Sequence, residues 1–159
     1  MQTKSLLLAI AALSLNAYAV DTPGSSPAEP SVRDRMSSAR KALESHDYRK
    51  ALAELKTVVN RDPRNAEAQS LLGYSYRKLP SPDLTRAFEH YNLALKSDPR
   101  HKGAHEYIGE AYLETGDLAS AERHLETLKD LCPLSCEQLE DLKRQVVAFR
   151  EKKAVAPKR

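Results

Sequence analysis

The sequence predicts an all-α protein, a right-handed solenoid of helix-turn-helix units with about three units and a covering helix at the C-terminal end. Two observations carry that prediction. The first is internal self-similarity: Leu72, Gly73, Tyr76, Ala87, Tyr91, Ala94 and Pro99 recur as Ile108, Gly109, Tyr112, Ala121, Leu125, Leu128 and Pro133. A repeat of about 34 residues marks stacked helical hairpins, each burying its apolar face on its neighbours. The second is composition. Charged residues make up 30%, aromatics only 6%, and there are five glycines, a soluble helical profile and not that of a sheet. The formal net charge of +3 is small beside 25 basic and 22 acidic residues, so no field strong enough to imply nucleic-acid binding exists.

Residues 1–19 read as a cleaved export leader. Met1 to Lys4 is a short positive start, Leu6 to Leu15 is an apolar run too short to span a bilayer, and Ala17-Tyr18-Ala19 supplies the small residues of a cleavage site. Removing Lys4 with the leader lowers the net charge by one unit and places the mature chain in an oxidising compartment, the bacterial periplasm. No cysteine follows the site to take a lipid anchor, and no transmembrane segment is expected in the mature chain. Residues 20–31 read as a flexible linker, with three prolines and too little apolar surface to bury.

Helical periodicity starts with Met36, Ala39 and Leu43 and resumes after a His46-Asp47 turn with Tyr48, Ala51, Leu52, Leu55, Val58 and Val59. Pro63 closes this first unit, 32–65. The second unit, 66–101, pairs a helix from about Asn65 to Lys78 with one from Ser81 to Ser97, where Ser81-Pro82 suits an N-cap followed by proline at the first helical position. In the third unit, 102–134, Gly116 separates the helices, since its freedom to take positive φ suits the position after a helix end. A last helix, 135–152, is expected to start at Ser135 with Gln138 completing a capping box, and to bury Leu139, Leu142, Val146 and Phe149. Residues 153–159 form a basic tail.

At these positions the units resemble the tetratricopeptide repeat family. Its pattern places Leu-Gly and Tyr on the first helix, small and aromatic residues on the second, and Pro at the closing turn. Gly73 and Gly109 are expected to let the paired helix approach, against Ala87 and Ala121. The first unit is worn, with Ala39 in the glycine position, as terminal repeats often are. The second carries two extra residues in its inter-helix turn.

The resemblance implies a non-enzymatic adaptor that holds a peptide or a partner's helix on the concave face, lined by the first helix of each unit; a fold alone names no partner. The corresponding groove positions are Arg33, Met36, Arg40 and Glu44 in the first unit, Glu67, Ser70, Tyr74, Arg77 and Lys78 in the second, and Glu106, Glu110, Leu113 and Glu114 in the third. That groove is expected to be basic early and acidic late, with Tyr74 as a rigid contact between. Members that clamp a C-terminal carboxylate use Lys and Asn at particular groove positions; Met36 and Arg40 stand in those places in the first unit, so this clamp is expected to be absent.

The only cysteines, Cys132 and Cys136, bracket the turn into the last helix. In an exported chain such a pair most simply forms a disulfide that fixes the angle of that helix. The segment also resembles the Cys-x-x-x-Cys turn of small exported members of the family. The rival reading is a thiol-disulfide or soft-metal handling protein using Cys132 and Cys136. His101 and His105 share a helical face, but no third metal ligand is evident, and neither metal nor cofactor is expected. Phosphate-binding glycine loops, serine-hydrolase elbows and zinc-protease patterns are all missing from the sequence.

Overall fold

The computed structural model of the chain describes residues 29–155. The stretch expected to be an export leader, most of the expected linker and the end of the basic tail lie outside the described residues. Within them run seven helices: α1 (Val32–Glu44), α2 (Tyr48–Arg61), α3 (Ala66–Arg77), α4 (Leu84–Ser97), α5 (Lys102–Glu114), α6 (Leu118–Leu131) and α7 (Glu137–Val155). Short side chains with an acceptor start them. Asp47, Asn65, Asp83 and Asp117 each accept from the backbone N–H three residues on, and Ser31 forms a reciprocal capping box with Asp34. His101 does the same with its ring, Nδ1 accepting from the Ala104 N–H at 3.0 Å.

The hairpins α1–α2, α3–α4 and α5–α6 stack in sequence, and α7 packs on both α5 and α6. Since α3 also touches α5, and α5 touches α7, the first helices of the later units stand side by side on one face. One apolar cluster runs from Met36 to Ala111 and a second from Leu113 to Val146; Tyr112 packs against both and makes them continuous. This is the expected helical solenoid with its covering helix.

Two turns in the stack share one backbone geometry from different residues. Gly116 has φ +85°, donates to Leu113 O, and is followed by Asp117 donating to Tyr112 O. His46 has φ +58°, donates to Leu43 O, and is followed by Asp47 donating to Ala42 O. Both are Schellman ends, and His46 takes the left-handed position that glycine occupies two units later.

Three expectations are corrected. Helix α4 starts at Leu84, and Asp83, not Ser81, is its N-cap, accepting from the Arg86 N–H at 3.0 Å. The Asp83 N–H returns to Tyr76 O at 3.1 Å, which folds the inserted residues over the end of α3 and leaves Ser81 and Pro82 exposed. Helix α7 starts at Glu137, and its first turn is closed by Glu140 N–H donating to the Cys136 carbonyl. Ser135 has φ +114° and spends its hydroxyl on the Glu140 carboxylate at 3.0 Å, so it lacks the extended backbone of an N-cap and makes no capping box. Finally, Gly109 makes room chiefly for α7: the three atoms nearest an added Cβ all belong to Leu142. Gly73 does face its paired helix, where a Cβ would lie 2.7 Å from the Tyr91 ring and 2.9 Å from Ala87 O.

Candidate functional site

Along α3 the residues on the shared face are Glu67, Leu71, Tyr74 and Lys78, spaced by one turn each. On α5 the same spacing selects Gly103, Glu106, Glu110 and Leu113, and on α7 it selects Gln138, Asp141, Gln145 and Ala148. Two clefts open on this face. One, of about 440 Å³, is lined by Glu67, Leu71, His101, Gly103, Tyr107 and Gln138; the other, of about 350 Å³, by Lys78, Glu110, Leu113, Glu114, Gln145 and Phe149 with Arg77 behind them. By helical register Tyr74 and Glu106 fall at the turn between the clefts, which share a face but no lining residue.

Aromatic rings form the groove's wall. Tyr74 meets Tyr107 at 4.7 Å between centroids and Tyr48 at 6.3 Å edge-on, linking α2, α3 and α5. The Lys78 ammonium and the Arg77 guanidinium lie over the Tyr74 ring at 5.6 and 5.4 Å. Burial, the largest influence, raises the Tyr74 pKa, so its hydroxyl stays neutral and able to donate.

Arg77 lies beneath the surface, only 3% exposed. Its Nε donates to the Tyr91 hydroxyl at 3.2 Å, NH1 to Glu114 at 2.6 Å and NH2 to Glu110 at 2.5 Å. Burial opposes its charge, yet Tyr91, Glu110 and Glu114 together outweigh that and hold its pKa above the usual value. The guanidinium therefore ties α3, α4 and α5 together, committing all three of its nitrogens through three of its five N–H groups. A lesser tie joins the early units: Glu67 accepts from Arg40 at 3.2 Å and pairs with His101 Nε2 at 3.0 Å. The shared hydrogen bond lowers the Glu67 pKa and raises that of His101.

The anticipated groove residues thus divide. Lys78, Glu110 and Glu114 line a cleft, Tyr74 packs on Tyr107, and Arg33 and Arg40 are exposed on α1. Met36 and Ser70 are not available to a ligand: Met36 is 7% exposed within the core and Ser70 is fully buried, its hydroxyl without a partner. The expected polarity also changes, because the central basic residue, Arg77, is neutralised by the acids Glu110 and Glu114. Glu106 is 8% exposed and has no such partner; burial first, then Glu110, Asp141 and Glu137, pushes its carboxyl up to about 8 against the pull of Arg77.

Sequence reasoning passed over Tyr48, Tyr107 and His101. Tyr107 carried a signal, an aromatic directly before the Ile108-Gly109 signature, whereas His101 was readable only as a possible metal ligand. Its supposed companion His105 instead meets His124, Nδ1 to Nδ1 at 2.9 Å, and donates from Nε2 to Pro99 O at 3.0 Å. Among the described residues no group of three or more His, Cys, Asp or Glu is placed to hold a metal. Cys132 and Cys136 sit apart from the groove with their sulfurs at bonding distance and Cα atoms 5.8 Å apart.

Comparison with known proteins agrees with this architecture. No curated protein matches the chain. Among solved structures, the TPR2B domain of yeast Sti1 superposes with a TM-score of 0.67 at 16% identity, covering 76% of this chain and 97% of its own. The first TPR domain of human RPAP3 gives 0.66 at 19% identity, covering 79% and 97%. The first TPR of Spaghetti gives 0.64 at 19%, covering 75% and 93%. At such identities the likeness speaks for the fold. A model of the tetratricopeptide repeat matches residues 37–100 and again 83–135, more than half of the chain. With its signature glycines, small residues and tyrosines all found at helix contacts, the chain belongs to the tetratricopeptide repeat family.

Proposed function

We propose that this protein is an exported, non-enzymatic interaction scaffold of a bacterial periplasm or cell envelope, holding a peptide or one helix of a partner along the face of α3, α5 and α7. The carrying observation is the pair of open clefts on that one face, with the Tyr74–Tyr107 contact beside them. Paired tyrosines offer large contact area with few rotors to freeze, the composition of binding hot spots. Similar structures lend support, since the yeast Sti1 domain is a complex with pHsp70 and the Spaghetti domain is bound to an HSP90 peptide.

Export rests on the leader pattern over residues 1–19 and on the cysteine pair, which serves as a structural disulfide in an oxidising compartment. Mass measurement of the protein recovered from the periplasm tests both at once. The expected mass begins after Ala19 and shows no alkylation without reductant; a retained leader or two free thiols would contradict the reading.

For the groove, a crosslinking pull-down from envelope extract should compare the intact protein with Tyr74→Ala and Lys78→Glu. Arg77 is unsuitable as a probe because it holds the stack together. Loss of the same partners in both variants is expected, and undiminished recovery by both would remove the groove as the site.

A further inference from the structure

Glu106 is the one anticipated groove acid that is buried and without a partner among the described residues. Burying a carboxylate is costly unless a cation or hydrogen-bond donors compensate it. Arg77, the cation that acts on it, has its three kinds of guanidinium nitrogen committed to Tyr91, Glu114 and Glu110. The other charges that face Glu106 are negative: Glu110 on its own helix, and Glu137 and Asp141 across the groove on α7. Tyr74 on α3 and its helix neighbour Tyr107 lie within its electrostatic reach, and both are neutral. Glu110 is paired with Arg77 and Asp141 with Arg144, which leaves Glu106 and Glu137 as the unpaired acids here among the described residues.

We propose that Glu106, with Glu137 across the groove, seats a lysine or arginine side chain of the peptide bound in the groove. The arrangement fits such a side chain along its whole length. Tyr107, which lines the first cleft, offers apolar surface for the alkyl stem, and the Glu106 carboxylate receives the charged end. A metal ion fits less well, since no described group of three or more ligands converges there. The inference rests on the groove reading above and adds the chemistry of the ligand to it.

Proton balance supplies an independent signature. Near pH 7 the Glu106 carboxyl holds its proton, since burial first and the surrounding acids next push it up to about 8. Seating a cation expels that proton to buffer. Affinity for a lysine- or arginine-bearing peptide therefore rises with pH, by up to tenfold per unit, and levels off above about 8.

The experiment is selection of a phage-displayed random dodecapeptide library on the full mature protein, with Tyr74→Ala as the counter-screen for groove binding. Peptides that depend on Tyr74 should share a lysine or arginine at a fixed position. For a synthetic copy, replacing that residue by norleucine, or Glu106 by Gln in the protein, should weaken binding by roughly thirtyfold or more. Glu106→Gln should also abolish the pH slope and the proton release measured calorimetrically in two buffers, while circular dichroism verifies its fold. Tyr74-dependent peptides without a fixed cation, or with undiminished affinity for Glu106→Gln, would overturn the cation seat and leave the groove standing. A selection with no Tyr74-dependent peptides would overturn both.

Discussion

Arg77 donates from Nε to the Tyr91 hydroxyl at 3.2 Å, inside the second hairpin, and thereby joins the interior of one repeat to the acids of the next. Removing a buried charge strands its partners, here Glu110 and the Tyr91 hydroxyl, whereas Glu114 is exposed enough to be rehydrated. Arg77→Ala is expected to cost about 3 kcal/mol in urea unfolding. Tyr91→Phe should cost about 1 kcal/mol. Arg40→Ala, which breaks an exposed pair with Glu67, should cost less than about 1 kcal/mol. Equal losses for Arg77 and Arg40 would mean that the buried network does not hold the repeats together.

The two signature glycines should differ in sensitivity. An alanine at Gly73 meets the fully buried Tyr91 ring at 2.7 Å and the Ala87 backbone oxygen at 2.9 Å, and neither can yield without moving α4. At Gly109 the obstacle is the branched end of Leu142, on a single covering helix. Gly73→Ala is expected to destabilise by about 3 kcal/mol and Gly109→Ala by about 1 kcal/mol. Thermal unfolding of both variants checks the order.

His46 adopts the left-handed backbone that Gly116 adopts in the third unit. A side chain there costs about 1–2 kcal/mol, of which the greater unfolded-state freedom of glycine takes back about 0.5–1 kcal/mol. His46→Gly is expected to raise stability by about 0.5–1 kcal/mol, once the contact to the Tyr48 hydroxyl is set aside. Gly116→Ala should lower it by a similar amount or more. Denaturant midpoints at fixed slope report both.

Acid should loosen the third hairpin through the histidine pair. His105 Nε2–H is committed to the Pro99 carbonyl, so in the neutral pair His105 Nδ1 accepts the proton of His124 Nδ1. Burial first, then His105 and Arg123, depresses the His124 pKa to about 4. The unfolded chain then binds the extra proton between about 6.5 and about 4, so stability is full above about 6.5 and is lost as pH falls through that range. His124→Phe, which keeps the stacking on Tyr112, should flatten the melting temperature over this window. An unchanged acid slope would assign the effect elsewhere.

Much of the stack could be read from the chain because its cues are local. Periodic apolar residues fall on the buried sides of every hairpin, and Asp47, Asn65, Asp83 and Asp117 at four helix starts accept from backbone N–H groups three residues on. The failures also have local causes. At Ser81-Pro82 a better acceptor, Asp83, lay two residues further on, and at Ser135 the left-handed backbone of the cysteine turn removed a cap that the sequence pattern favoured. That Lys78, Glu110 and Glu114 share a face was legible from their positions on the first helices, and the three line one cleft. Their electrostatic state was not. Arg77 and Glu110 are 33 positions apart, and no local rule says that they meet.

The sequence by itself determined a helical-repeat solenoid, its hairpins and the face on which its first helices stand, since period, caps and small-residue positions are properties of neighbouring residues. Tertiary structure alone decided which charges remain free. Two acids of α5 turn to Arg77 and are neutralised, while Glu106, one turn earlier, lies beyond hydrogen-bonding reach of that cation and is buried against the acids of α7. Charge on a helix surface is set by composition, but whether a charge is satisfied depends on what the next repeat brings within 3 Å.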